Sequence, residues 1–366
     1  MIALFVAGAA SLIFTFALTP SAIKLFRRLG WGQMIRADGP QTHLVKAGTP
    51  TKGGIVFVTG AVFGYFVAHL IPAPVPVTAS GILSLVLMAG LGLVGFLDDF
   101  TKTRRRRSLG LTGRQKVAGQ VIVATVFAVL AVQFRDPGTG VTPASPAISW
   151  VRDIPTLNLA ALGAVGLVLY VVWVNLLAVA TSNAVNITDG ADGLAAGATI
   201  IALGAYTFIA LFQSRMACQN LPAGDLTLDK CFIVRDPLDL AIFAVALAAS
   251  LVGYLWYSGP PGQIFMGDVG SLGLGGAITA LAIFTRTELL LIIIGGLYVS
   301  VAGSVIIQTT YFKLTHGKRI FLMSPLHHHF EMKGWPEIQI TMRFWIVAIV
   351  CAVAGASIFY VSWLAG

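Results

Sequence analysis

Ten apolar runs, each near the length that crosses a hydrocarbon core, constrain this 366-residue chain more than any other feature. A spanning helix needs about 20 apolar residues, with a range of roughly 17–25. The runs lie near 2–23, 54–74, 80–97, 117–134, 157–177, 194–212, 238–256, 271–285, 288–312 and 342–364. The eighth is the weakest, because its apolar core is short and glycine-rich (Leu272-Gly-Leu-Gly-Gly-Ala). Only 11% of the residues are charged and 57% are hydrophobic, whereas a soluble domain averages about 25% charged residues. The pattern predicts an all-α polytopic membrane protein, a single integral membrane domain over residues 1–366. Disorder and a soluble enzyme both fit poorly. The opening Met1-Ile-Ala-Leu-Phe has no basic segment, so the first run is expected to be a membrane helix rather than a cleaved signal peptide.

Charge orients the runs. If all ten cross, eighteen of the 24 Lys and Arg fall in loops of one parity and six in loops of the other. The basic loops are 24–53, 98–116 and 312–343. By the positive-inside rule the richer side is cytoplasmic, which puts both termini outside the cytoplasm. The net charge of +9 follows from this topogenic excess, and no nucleic-acid partner is expected. Cys218 and Cys231 fall in one predicted external loop, where an oxidising compartment permits a disulfide between them. Cys351 lies within the tenth run and reads as packing.

Within this topology the polar oddities segregate. Asp98-Asp99, the stretch Asn183-Ala-Val-Asn186-Ile-Thr-Asp189-Gly-Ala-Asp192-Gly193, Asp268 and His327-His328-His329 all fall on the predicted cytoplasmic side. That clustering points to one site at the inner membrane surface. Asn183, Asn186, Asp189 and Asp192 recur every three residues, a spacing that drifts by about 60° per step on an α-helix. They can meet only if the helix tightens or breaks, and Gly190 and Gly193 permit a break, so a bent loop is expected between helices five and six. The simpler reading is that Thr188 or Asp189 caps the helix starting near Leu194; capping explains one polar residue, not four.

Asp98 and Asp99 are adjacent carboxylates, which repel unless a cation sits beside them. Mg²⁺ suits such oxygen donors and keeps water positions open for phosphate. A solvated helix end balanced by Arg104–Arg107 is the alternative. Asp268, in Phe265-Met-Gly-Asp-Val-Gly-Ser271, would by itself read as a helix cap. Three consecutive His cannot all face one ion in ordinary backbone, so His327, His328 and His329 read as phosphate or substrate contacts rather than a zinc site. Lys46, Lys102, Lys116 and Arg104–Arg107 surround the face with positive charge suited to anionic phosphate. The Arg run fits anionic lipid headgroups better. Carboxylates, cations and His at a membrane surface suit Mg²⁺-assisted phosphoryl chemistry, with one lipid substrate and one soluble anion.

The motifs Leu97-Asp-Asp-Phe100, Asn183–Leu194, Phe265–Ser271 and Pro325-Leu-His-His-His-Phe-Glu331 together resemble the polyprenyl-phosphate N-acetylhexosamine-1-phosphate transferases over essentially the whole chain. The His block, with His43 and Lys46-Ala-Gly-Thr-Pro50, is similar to the phospho-N-acetylmuramoyl-pentapeptide transferase branch. The resemblance implies transfer of phospho-MurNAc-pentapeptide from UDP-MurNAc-pentapeptide to undecaprenyl phosphate in the bacterial cell membrane. Lipid I and UMP would be the products, in peptidoglycan synthesis. It implies Mg²⁺ on Asp268, catalytic roles for Asp98, Asp99 and His327 with Asp98 the candidate base, and Asn186 and Asp189 at the centre, beside Asn183. Asp192 and Phe265 would form the uracil pocket. Lys46, Lys116, His328 and His329 would lie on the phosphate and sugar side. A homodimer is also implied. Lys52, Ala191 and Ser258 depart from the residues common in the family: Lys52 adds a charge beside Gly53-Gly54, and Ala191 and Ser258 fall near the implied uracil pocket. A sibling transferring GlcNAc-1-phosphate is the nearest alternative, against which the triple His argues. A transporter would place its polar site near the bilayer midplane, not at one surface.

Overall fold

The computed structural model describes residues 1–32, 48–71, 75–105, 110–222, 225 and 227–365. Its helices are α1 (Ile2–Arg28), α2 (Gly54–His69), α3 (Ala79–Arg105), α4 (Gly113–Ala131), α5 (Gly163–Thr188), α6 (Leu194–Arg215), α7 (Pro237–Ser258), α8 (Gly267–Phe284), α9 (Leu291–Ile294), α10 (Gly296–Leu314), α11 (Leu326–Met332) and α12 (Glu337–Ala365). Each of the ten apolar runs overlaps a helix. Among the described residues, eight helices (α1, α3, α4, α5, α6, α7, α8 and α12) are long and apolar enough to cross a membrane, and α2 is a shorter apolar helix. The chain is an all-α polytopic membrane protein.

Several boundaries differ from the sequence expectation, among them that of α3, which runs to Arg105 rather than ending at 97. Residues 157–162, read as the start of the fifth span, belong instead to a small antiparallel hairpin, β1 (Ala147–Ser149) with β2 (Asp153–Asn158), and to the helical turn after it. Helix α5 then runs to Thr188, eleven residues past the expected end at 177. Its polar residues stay helical because the helix carbonyls serve them: Ser182 Oγ donates to Ala178 O at 2.6 Å and Asn183 Nδ2 to Val179 O at 2.8 Å. The ninth run breaks at Gly295, between α9 and α10. There a Cβ on Gly296 would come within 2.7 Å of Cys351 Sγ on α12, so the glycine lets α12 pack close.

The weakest run by hydropathy is the centre of the molecule. Every residue of α8 from Val269 to Phe284 is buried, among α2, α3 and α5. Its glycines explain the low hydropathy. Small residues let membrane helices approach through backbone contact, and a Cβ at Gly275 would stand 2.3 Å from Ser182 Cα of α5. The α3–α8 contact is closest at Gly95, where a Cβ would meet Asp268 O at 2.1 Å. That approach brings the C-terminal turns of α3 to the N-terminus of α8. The outer helices α4, α5 and α12 are mostly exposed along their apolar lengths, as lipid-facing helices are. Cys218 and Cys231 form a disulfide between α6 and α7, with Cα atoms 4.9 Å apart.

Candidate functional site

Asp98 and Asp99 lie on α3 about two turns before its last described residue, Arg105, and both are buried. Asp268 is in the first turn of α8. Each of the three offers one oxygen, and those oxygens lie within 4.8 Å of one another. Neutral donors fix the remaining oxygens. Leu111 N donates to Asp98 Oδ1 at 2.7 Å, Val269 N to Asp99 Oδ2 at 3.3 Å, and Asn186 Nδ2 to Asp268 Oδ1 at 2.8 Å. The other oxygen of each turns toward the same point. Hard carboxylate oxygens gathered this way match the donor preference of Mg²⁺.

Two lysines meet the cluster. Lys116 Nζ is 2.9 Å from Asp268 Oδ2 and donates to Asn186 Oδ1 at 3.1 Å. Its position is set locally: Thr112 and Gln115 form a reciprocal capping box that starts α4 at Gly113, three residues before Lys116. Lys102, on the same face of α3 as the paired acids, reaches Asp98 Oδ2 at 2.6 Å, Asp99 Oδ1 at 3.3 Å and Asp268 Oδ2 at 3.0 Å. The sequence offered it only as general positive charge. Its i+3 and i+4 spacing from the two acids was the signal that assigns it to the cluster. Ser271, which accepts from Asn186 Nδ2 at 2.8 Å, was not anticipated.

The Asn183–Asp192 stretch divides. The bent loop expected between helices five and six is present over Asp189–Gly193, with Gly193 at φ 71° opening α6, but α5 stays helical through Thr188 and keeps Asn183 apart from the loop. The four side chains therefore do not share one site. Asn183, still in regular helix, faces α4, where its Nδ2 donates to Gln120 Oε1 at 3.0 Å. Asn186, one turn on, reaches Asp268. Asp189 follows the helix; enclosure, with the charges of Asp268, Asp99 and Asp192 nearby, pushes its carboxyl well above the usual range. Asp192 turns the other way: its Oδ2 accepts from Gly262 N at 2.9 Å, and its own N–H donates to Glu337 of α12 at 2.7 Å. The capping alternative fails, since no side chain caps the start of α6.

Asp192 thus sits beside the segment 258–265 that precedes α8. Phe265 in that segment is paired by backbone to the loop before α2, its N–H donating to Pro50 O and its carbonyl accepting from Gly53 N, both at 2.8 Å. The three histidines lie on the short helix α11, where the His327 and His328 rings meet edge to face with centroids 4.3 Å apart. His327 is buried against the Asp189–Gly193 turn; a Cβ on Gly190 would be 2.1 Å from its Nε2, so only glycine fits there. His328 Nδ1 pairs with Glu331 Oε2 at 3.0 Å, and His329 Nδ1 accepts from Leu322 N at 3.1 Å. Burial and Lys333 lower the proton affinity of His329. His43, Lys46, Arg106 and Arg107 lie outside the described residues.

Residues 82–286, which carry both acidic motifs, match the model of glycosyl transferase family 4. Among curated relatives, the phospho-N-acetylmuramoyl-pentapeptide-transferase of Clavibacter michiganensis subsp. michiganensis is 58% identical over 369 residues, covering all of both chains. That of Micrococcus luteus is 50% identical, covering all of this chain and 97% of its own. That of Kineococcus radiotolerans is 51% identical, covering 99% of this chain and 98% of its own.

Proposed function

Since the chain belongs to glycosyl transferase family 4, alongside its phospho-N-acetylmuramoyl-pentapeptide-transferases, we propose that it transfers phospho-MurNAc-pentapeptide from UDP-MurNAc-pentapeptide to undecaprenyl phosphate. Lipid I and UMP are the products, and the step serves peptidoglycan synthesis. The observation that carries the reading is the convergence of one oxygen each from Asp98, Asp99 and Asp268 at the end of the bundle where Lys102 and Lys116 also gather. The excess of Lys and Arg in the loops at this end supports a cytoplasmic orientation, where the soluble nucleotide is available.

Asp98, Asp99 and Asp268 would hold Mg²⁺, which when bound supplies neutralisation of diphosphate charge and alignment for in-line displacement. The chain's own residues do the rest. Lys116 and Lys102 attract the phosphate oxygens. Asp192, held to the 258–265 segment through Gly262, contacts the nucleoside, and His327 on the Gly190 turn faces the sugar and phosphate side. Lys46 and the pair His328 and His329 complete that side. A phosphate monoester with a second pKa near 6 is mostly dianionic at pH 7, so the lipid phosphate attacks directly and Asp98 orients it or takes its last proton. Trapping a phosphorylated aspartate would exclude this single displacement.

The test is UMP release from UDP-MurNAc-pentapeptide by the purified protein. Release should require both Mg²⁺ and a polyprenyl phosphate and should not occur from UDP-GlcNAc. Absence of release from the pentapeptide nucleotide overturns the reading; release from UDP-GlcNAc alone transfers it to the sibling activity.

A further inference from the structure

The acidic cluster already contains a cation of the protein's own. Each of its three carboxylates has one oxygen tied to a neutral donor, Leu111 N, Val269 N or Asn186 Nδ2. The other oxygen of each (Asp98 Oδ2, Asp99 Oδ1 and Asp268 Oδ2) turns to one point, and the Lys102 ammonium stands there at 2.6, 3.3 and 3.0 Å. A divalent ion held by the same oxygens would occupy nearly the same place. Two cations a few ångströms apart in a poorly hydrated recess repel strongly, so both cannot stay.

The two lysines differ in how easily they can leave. Lys116 is tied to Asn186 as well as to Asp268, and 16% of its side chain is exposed. The Lys102 side chain is 30% exposed and rises from the final turns of α3. Its stem is flexible and its ammonium can be rehydrated by a rotamer change. Lys102 is thus the member of the cage that can open it.

We propose that Lys102 is a tethered cation: it holds the three carboxylates together before a divalent ion arrives, competes with that ion for the same oxygens, and swings outward on its binding. In the outward position its ammonium lies at the mouth of the site, where the anionic substrate enters. Lys102 is therefore a positioning residue whose contribution changes sign, stabilising the empty cluster and opposing metal entry. This inference rests on the reading that Asp98, Asp99 and Asp268 hold a divalent ion.

Mn²⁺ binding tests it without catalysis. Purified protein in detergent, free of substrates, is titrated with Mn²⁺ and the free ion is followed by its paramagnetic resonance signal. Lys102→Met should bind Mn²⁺ about tenfold more tightly than wild type, the expected direction when a competing unit charge is removed at this distance. Lys102→Arg, which keeps the charge, should bind no more tightly than wild type. Asp268→Asn should bind at least tenfold more weakly. In chelator, Lys102→Met should unfold at a lower temperature than wild type, and Mn²⁺ should raise its midpoint by more. Unchanged or weaker Mn²⁺ binding by Lys102→Met, with weak binding by Asp268→Asn, overturns the tethered cation while leaving the metal reading standing. Equal binding by wild type and Asp268→Asn overturns both. Should the Met variant lack an unfolding transition even with Mn²⁺, Lys102→Gln carries the same expectations.

Discussion

Asp239 and Asp268 are both acids in the first turn of a long apolar helix, α7 and α8, yet their surroundings differ in kind. Asp239 is saturated by donors. Tyr65 Oη donates to it at 2.8 Å, Thr78 Oγ1 at 2.6 Å and Thr78 N at 3.2 Å, and His69 Nε2 lies at 2.9 Å. These donors come from α2 and the start of α3, at the end of the bundle opposite the site. Glu288, at the far end of α8, is similar, with Ser149 N and Ser149 Oγ donating to Oε2 at 2.7 and 2.8 Å. Asp268 instead faces two other carboxylates, and lysines rather than neutral donors meet their converging oxygens. Burial of an acid is thus not a sign of chemistry. A matched set of neutral donors makes a carboxylate a structural joint. Carboxylates turned toward one another, with exchangeable cations between them, make a site.

The contrast is broken or upheld most sharply by exchanging each acid for its amide. Asp268→Asn should cost on the order of 10²–10³-fold in transfer rate with little loss of thermal stability, because it removes repulsion along with its ion pairs. Asp239→Asn should do the reverse. It turns one acceptor oxygen into a donor facing donors, at a cost of about 1–3 kcal/mol, and should leave the rate per folded molecule near wild type. UMP release and the unfolding midpoint, measured on both variants, decide it. A dead Asp239→Asn with an unchanged midpoint would erase the distinction between the two ends.

How much of this could be read from the chain depends on where a side chain's partner comes from. The runs of apolar residues predicted the bundle because lipid and protein interior demand the same residue types over a helix length. They mistook the end of α5, because Ser182 and Asn183 look like a loop by hydropathy yet bond back to carbonyls one turn earlier. They also undervalued α8, whose glycines are the reason it can lie at the centre. The acids Asp98, Asp99 and Asp268 were legible as a group from motif and topology. Lys102 was legible from helical spacing but was counted only as bulk charge. Asp239 and Glu288 carried no signal, since their partners, Tyr65, His69, Thr78 and Ser149, are distant in sequence and ordinary in type.

Glu288 offers a quantitative check on the structural end. Burial pushes its carboxyl up to about 7, against the opposing Ser149 donors and Arg286. The protonated form is therefore the one the fold favours. Its contribution is fully present below the unfolded value near 4.5 and is lost as pH rises toward about 7, a decline of roughly 2–3 kcal/mol. Glu288→Gln mimics the neutral acid and should flatten that decline. Unfolding midpoints at pH 5 and pH 8 measure it. Equal slopes for the variant and wild type would mean that Ser149 and Arg286 hold the carboxylate charged.

The smallest expected effect lies next to the site, at Lys52. It has φ 74° and a fully buried side chain, with Nζ 4.0 Å from the Trp31 ring centroid and donating to Thr103 Oγ1 at 2.8 Å. Thr103 Oγ1 in turn donates to Asp99 O at 2.8 Å, so Lys52 braces the loop before α2 against the last turns of α3 from behind the acids. Burial pulls its ammonium down to about 8, with Asp99 acting in the opposite direction. The fold therefore favours the neutral amine, and stability should rise with pH between about 8 and the unfolded value near 10.4. Lys52→Met carries no charge to desolvate and keeps the stem against Trp31. Replacing a buried charge by an apolar side chain of similar volume is often neutral or stabilising, so the midpoint at pH 7 should be unchanged or higher by up to about 1 kcal/mol, and the rise above pH 8 should vanish. Because Lys52 contacts the backbone side of α3 and not the converging oxygens, Mn²⁺ affinity should move far less than in Lys102→Met. A midpoint lowered by Lys52→Met would show that the ring and the Thr103 hydroxyl together outweigh desolvation. That outcome would place Lys52 with Asp239 among the structural joints, although it stands beside the site.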